Sequence, residues 1–351
     1  MKNQEFIHRK IDHLRIALKE ESQATLRAEW SKIELAHDSL PDLNLADIKL
    51  TSLFLDHPVA TPFFVAGMTA GHPDADQIND RLASVCAERG WIFGLGSQRR
   101  ELDSEFSDHL SHELMKRYPD LKLVSNLGIA QLIEIYSRND WNRLQEVLSR
   151  TGSAVIAIHL NPLQEAVQEE GTPRFKGGLQ ALEALKAKLS VPFLLKETGS
   201  GMSTAFLKRV QALDPFAVDV SGLGGTHWGR VEGLRAKDQS ISQDLGETFK
   251  DWGVGTLTSV LNAAEVFRNS KTEIWASGGV RNGLDAAKCM ALGAKRVGFA
   301  KPALQAAMLG RDQLKTFMET RETELRTALF CTNSENLSAL NASKVEAMRL
   351  K

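Results

Sequence analysis

Cysteine is scarce in this chain. Its 351 residues include three, Cys86, Cys289 and Cys331. An odd number with no C-x-x-C or other metal-type spacing gives no disulfide framework and no zinc site, and suits a reducing, cytoplasmic setting. Net charge is lacking too: 43 basic residues face 44 acidic ones, leaving -1. That excludes a broad electrostatic role toward nucleic acid or a membrane surface, though not a local basic pocket. No stretch approaches the ~18 consecutive apolar residues of a membrane span. The charged N-terminus has no apolar segment of the signal-peptide kind. Low-complexity tracts and tandem repeats are absent. So is the G-x-G-x-x-G turn after the first strand, which reads Gly67-Met68-Thr69-Ala70-Gly71 and argues against a doubly wound dinucleotide-binding sheet.

What is present is a repeat of strand and helix. Apolar residues make up 42% and charged residues 25%, the balance of a globular protein. Eight short apolar runs recur, at 62–67, 91–96, 121–126, 154–159, 191–196, 216–221, 273–277 and 296–300. Near-continuous apolar runs are what strands buried on both faces require. Amphipathic stretches lie between them, such as Ile78, Leu82 and Val85 at helical spacing. Eight such units match the ~250 residues of a (β/α)8 barrel. The expected architecture is one α/β TIM-barrel domain over 1–351. Its core covers about 61–310, with an N-terminal extension (1–60) and a helical tail (311–351) closing the bottom or contacting a second subunit. Short strands are expected in the extension at 48–50 and 53–55.

Barrels keep their chemistry at the carboxyl ends of the strands. The fourth run ends in His159-Leu160-Asn161-Pro162-Leu163-Gln164-Glu165. His159 and Asn161 share a face at strand spacing, and Pro162 ends the ladder. They are either hydrogen-bonded core polars or part of a site. Lys196 closes an otherwise apolar strand, where a buried ammonium needs an anion. It could neutralise a reduced flavin, form a Schiff base, act as a base, or emerge into solvent. Ser277-Gly278-Gly279-Val280-Arg281 after the seventh run and Gly298-Phe299-Ala300-Lys301 after the eighth occupy the recurrent phosphate site of barrels. Near the N-terminus, Arg9 and Lys10 stand beside Asp12 and His13, as a solvated helix face or an anion clamp. The long charged connection from Gly225 to Asp251, with Trp228, Arg230, Glu232 and Arg235, reads as a lid or a solvated excursion.

Together these pieces resemble the FMN-dependent α/β-barrel superfamily, and specifically the type 2 isopentenyl-diphosphate Δ-isomerase family. The likeness rests on Arg9-Lys10-x-Asp12-His13, Met68-Thr69, Gly96-Ser97-Gln98-Arg99, Asn126-Leu127-Gly128 and His159-x-Asn161-Pro162-x-Gln164-Glu165. It continues through Lys196-Glu197-x-Gly199-x-Gly201, Ser221-Gly222-x-Gly224-Gly225-Thr226 with Trp228-x-Arg230-Val231-Glu232, and Ser277-Gly278-Gly279-x-Arg281. One departure is Ala70, where the family has glycine. The resemblance implies that Gly67, Met68, Thr69, Ser97 and Asn126 line the flavin ring and that Lys196 faces its N1/O2 edge. It implies Ser221, Thr226, Gly278, Gly279, Arg281, Ala300 and Lys301 for the ribityl chain and phosphate. Arg9, Lys10, Arg99, His159 and Asn161 then face a substrate diphosphate, Glu165 holds Mg²⁺, and Gln164 lies near the isoprenoid carbons. Gln164 and Lys196 are the residues implied for catalysis. The implied reaction is a 1,3-allylic proton shift from isopentenyl to dimethylallyl diphosphate. It uses reduced FMN as acid and base, with NADPH as the reductant, in a homo-oligomeric enzyme. The nearest alternative is an FMN-dependent 2-hydroxy-acid oxidase, which needs a base histidine and carboxylate-binding arginines.

Overall fold

The eight apolar runs become eight parallel strands that close on themselves. They are β1 (Phe63–Val65), β2 (Ile92–Gly94), β3 (Lys122–Gly128), β4 (Val155–His159), β5 (Phe193–Lys196), β6 (Ala217–Asp219), β7 (Glu273–Ala276) and β8 (Arg296–Phe299). The last strand pairs with the first, Val297 opposite Phe63, so no edge is left open. This computed structural model describes residues 2–25, 29–68, 75–102 and 111–348, and in the first helix side chains only at Arg9 and from Ile11 onward.

Alternation along each strand divides the core in two. Phe64, Ile92, Val124, Ala157, Leu194 and Trp275 point inward and fill the barrel. Phe63, Val65, Phe93, Ile156, Leu195 and Val297 point outward and pack under the helices. Both faces are dry, which is why these strands read as unbroken apolar runs.

The extension closes the amino-terminal end. Ser52–Phe54 and His57–Val59 form an antiparallel hairpin through Leu55 and Asp56, both at positive φ. Phe54 enters the barrel floor beside Trp275. Arg296 is buried against both rings and reaches Glu273 at 3.3 Å. The strand expected at 48–50 does not form a ladder. Lys49 makes a single bridge to Asn336, because Ile48 and Leu50 are spent packing on the core and no partner strand runs beside them. The tail is α-helical to Cys331, makes a 3-10 turn at Ala342–Lys344, and then pairs Val345–Met348 with Ile33–Leu35.

Over the carboxyl-terminal end lie helix α1 (Lys2–Ala17), helix α2 (Pro162–Val167) after β4, and helices α3 (Trp228–Arg235) and α4 (Ile241–Thr248) after β6. The long charged connection is therefore a folded cover, with α3 packed between α1, α2 and α4. Helices α5 (Gly283–Ala291) and α6 (Lys301–Leu309) follow β7 and β8. Among the described residues no helix is long and apolar enough to cross a membrane.

Candidate active site

The strand ends enclose a cavity of about 340 Å³. Its floor and one wall are backbone. Gly278 and Gly279 both sit at positive φ, +97° and +73°, and a Cβ on either would overlap Gly222 or Gly224. A Cβ on Gly225 would meet the backbone of Gly279, so the loops after β6 and β7 touch main chain to main chain. Ser221 supports this contact at an unusual φ of +35°, its carbonyl accepting from Gly199 N (3.0 Å) and Gly201 N (3.2 Å). Ala300 and Lys301 begin α6, whose first N–H groups have no partner inside the helix. Such a cradle of glycine backbone and a helix N-terminus suits a phosphate. A Gly278→Ala variant should therefore lose affinity for FMN, the cofactor that the resemblance implies, by at least roughly tenfold, through strain and lost approach together. Gly293→Ala is the control: its φ is also positive (+111°), but its Cβ would meet only the Ala264 methyl. Titration of FMN fluorescence checks this; equal losses in both variants would mean that strain alone acts.

Beside the cradle, Lys196 comes up between two neighbours. Register sets His159 of β4 on one side and Asp219 of β6 on the other. The ammonium donates to the Glu197 carbonyl (2.7 Å) and lies 3.9 Å from the Asp219 carboxylate. Burial pushes the Asp219 carboxyl up, while Lys196, Ser277 and backbone donors pull it back. Glu197 turns into its own loop, accepting from the N–H groups of Thr198 (2.6 Å) and Ser200, and burial raises it to about 7. Asn126 donates to the Leu95 carbonyl (2.9 Å), so its oxygen accepts from His159 Nδ1 (2.9 Å). That bond directs His159 Nε2 away from Asn126. Gly67, Met68, Ser97 and Asn126 line the same cavity. Thr69 and Ala70 lie outside the described residues.

At the mouth the polar groups form a chain. Asn161 donates to Gln164 (3.0 Å) and Glu165 (3.0 Å), and Gln164 donates to Glu232 (2.8 Å). Glu232 also receives His13 (2.9 Å) and Arg235 (2.9 Å), and Arg235 continues to Glu170 (2.6 Å). Burial works against the charge on Glu232. Hydrogen bonding and charge from His13, with Gln164 and Arg235, outweigh it and hold the carboxyl at about 2. Gln168, its amide nitrogen toward Glu232 (3.0 Å), accepts from Arg9 (3.1 Å). Burial lowers the Arg9 guanidinium despite Glu170 and Glu232. Arg99 lines the cavity from its exposed rim. The side chain of Lys10 lies outside the described residues.

Three expected phosphate contacts have other side-chain partners. Lys301 Nζ binds the Lys19 carbonyl (3.0 Å) and Glu20 (3.1 Å), so only its backbone faces the cradle. Arg281 Nε donates to Asp285 (3.2 Å), and Thr226 Oγ1 accepts from Gln23 (3.1 Å). Gln23 and Ala24 belong to a strap across the loop after β6, where Ala24 N donates to the Gly225 carbonyl (2.9 Å) and His227 N to Ser22 (3.0 Å). Asp219 and this strap are absent from the sequence-based site. A carboxylate inside an apolar strand was the available signal for Asp219; the strap has none. Glu165 receives Asn161 and Thr172 N (2.6 Å), and no cluster of three or more candidate metal ligands occurs among the described residues. The donor set suits one protein carboxylate on a cation that takes its other ligands from phosphate and water.

Fold and sequence comparisons define the class. Residues 120–347 match the FMN-dependent dehydrogenase family model. A flavocytochrome b2 variant with benzoylformate superposes with a TM-score of 0.68 at 17% identity, covering 96% of this chain and 79% of that one. A mandelate oxidase variant with (S)-mandelic acid gives 0.62 at 16%, covering 97% and 99%. The chain is thus an FMN-dependent α/β barrel. Among its relatives, the isopentenyl-diphosphate delta-isomerase of Legionella pneumophila (strain Lens) is 46% identical, covering 94% of this chain and 95% of the relative. The enzyme of that name from Bdellovibrio bacteriovorus is 42% identical over 98% of each. The chain belongs to the isopentenyl-diphosphate delta-isomerase family.

Proposed function

We propose that this protein converts isopentenyl diphosphate to dimethylallyl diphosphate by a 1,3-allylic proton shift. The observation that carries the reading is the division of its cavity. The glycine cradle suited to a nucleotide phosphate comes from the loops after β6 and β7, and Arg99, His159 and Asn161 come from the ends of β2 and β4 across the closed barrel, with Arg9 lining the same cavity. A ligand phosphate on each side leaves the middle, beside Lys196 and Gln164, for a cofactor ring against an apolar substrate chain. The glycine loops and the N-terminus of α6 would hold FMN, which when reduced supplies the acid, the base and a negative charge near the reacting carbons. Gly67, Met68, Ser97 and Asn126 would line its ring. Lys196 would hold that charge at the ring's N1/O2 edge.

The other residues act on the substrate. Arg9 and Arg99 grip the diphosphate, the guanidinium fork matching phosphate oxygens. His159 and Asn161 orient it, and Glu165 would share a Mg²⁺ with it. Gln164, tied to Glu232, keeps an amide beside the carbon skeleton. The cover of α1 and α3 excludes water, as a proton shift through charged species needs. The same reading has NADPH serving to reduce the flavin, in a cytoplasmic homo-oligomer.

The oxidase alternative requires a base histidine at the ring. His227, which follows β6, is buried, and burial lowers its basicity. Its Nδ1 accepts from Arg230 N (3.2 Å) as the cap of α3, and its Nε2 donates to the Trp252 carbonyl (3.1 Å). It does not line the cavity. Anaerobic incubation with FMN, NADPH, Mg²⁺ and isopentenyl diphosphate, followed by proton NMR, tests the proposal. Dimethylallyl diphosphate should accumulate only when the flavin is reduced. A bound flavin without conversion, bleached instead by a 2-hydroxy acid, would overturn it.

A further inference from the structure

Asp219 is a buried carboxylate that stays out of the main cavity and, with Lys196, lines a small void in the barrel. It ends β6, is 1% exposed, and does not line the main cavity, whereas Lys196 does. Its donors include Ser277 Oγ at 2.7 Å and its own loop's Ser221 N at 3.3 Å, both on Oδ1, together with the Ser277 backbone N–H. The other oxygen, Oδ2, is left toward Lys196 Nζ at 3.9 Å. A carboxylate is costly to bury unless it is paired, and this one is paired and aimed.

Among the described residues, the titratable groups next to Lys196 in register or in sequence are three. Asp219 stands on β6, His159 on β4, and Glu197 follows Lys196 in the chain. Glu197 directs its carboxylate to the backbone of Thr198 and Ser200. His159 has its Nδ1 on Asn126. The Asp219 carboxylate is the charge that meets the ammonium.

We propose that Asp219 is a positioning residue, which with Ser277 keeps Lys196 protonated and aimed at the cavity floor whether or not the cofactor carries negative charge. This rests on the reading that Lys196 faces the flavin. Without the carboxylate, the buried Lys196 ammonium loses the anion that compensates its desolvation.

The test is the midpoint potential of the FMN-loaded protein, measured by dye equilibration across neutral and alkaline pH. Where Lys196 stays protonated in both redox states, the potential falls with the flavin's own proton uptake. Where the oxidised protein has lost the Lys196 proton and reduction restores it, the slope steepens by one proton. The wild-type plot should stay straight. The Asp219→Asn plot should steepen toward its alkaline end. Lys196→Met should lower the potential and show no break. If Asp219→Asn does not hold FMN, Asp219→Ser is read the same way. A merely structural Asp219 would lower thermal stability and FMN affinity but leave the slope alone. An Asp219 variant running parallel to wild type, while Lys196→Met lowers the potential, overturns this proposal only. An unchanged potential in Lys196→Met overturns the placement of Lys196, and the proposal with it.

Discussion

Lys196→Met is expected to cut turnover of isopentenyl diphosphate by roughly 10²–10³-fold, the usual loss when one preorganised charge-stabilising group is removed. The loss should fall on kcat. On the proposed reading the cofactor phosphate rests on the backbone of Gly278, Gly279 and α6 and the diphosphate on Arg9 and Arg99, so neither would lose a contact. FMN should still bind, with the protein yellow after desalting. Stability should change in a pH-dependent way, because the variant leaves Asp219 buried without its counter-charge. Burial already raises the Asp219 carboxyl, and without Lys196 it rises further. A group raised in the folded state adds stability below its unfolded value and loses that contribution as pH rises through its folded value. The variant should therefore lose most thermal stability, relative to wild type, toward neutral and alkaline pH, and least in acid. Wild-type kcat with a reduced flavin, or a pH-independent loss of stability, would mean that Lys196 neither serves the reaction nor neutralises Asp219.

The strands were legible because each is buried on both faces, so position along the barrel needed no other signal than apolar runs at a regular interval. All eight runs form β1 to β8. Strand-end residues were legible for the same reason: His159, Asn161 and Lys196 interrupt apolar runs, and burial of such groups needs a cause. Cross-strand register was not legible. That Lys196 stands opposite Asp219 depends on how β5 and β6 align, which neither segment encodes alone. Composition could not separate a solvated excursion from a cover at 225–251. What decides it is Glu232, buried by partners from α1 and α2, distant in sequence. Lys301 shows the opposite case. The resemblance implies Lys301 for the ribityl chain and phosphate without saying which of its atoms, and the strap at Lys19 and Glu20 offers its ammonium two oxygens that lie far away in sequence.

Glu232→Gln should be the most damaging substitution in the cover. The carboxylate joins α1 through His13, α2 through Gln164, and its own helix through Arg235. A glutamine retains one acceptor oxygen but presents an amide to groups that need an anion. His13 and Arg235 would then sit beside a neutral group in a buried place, the situation that makes breaking a buried pair costly. The carboxyl is held at about 2, against an ordinary value near 4.5, and that depression corresponds to ~3 kcal/mol of folded-state stabilisation at neutral pH. Because the folded value lies below the unfolded one, the stabilisation is fully present above about pH 4.5 and disappears as pH falls toward about 2. Denaturant midpoints should therefore separate wild type from variant most at pH 7 and bring them together in acid. Turnover should fall as well, since Gln164 loses the partner that fixes its amide and α1, which carries Arg9, loses its tie to α3. A gap between wild type and variant that stays constant from neutral to acid pH would show that Glu232 acts through packing, and that the charge linking the cover to the substrate end is not what holds it closed.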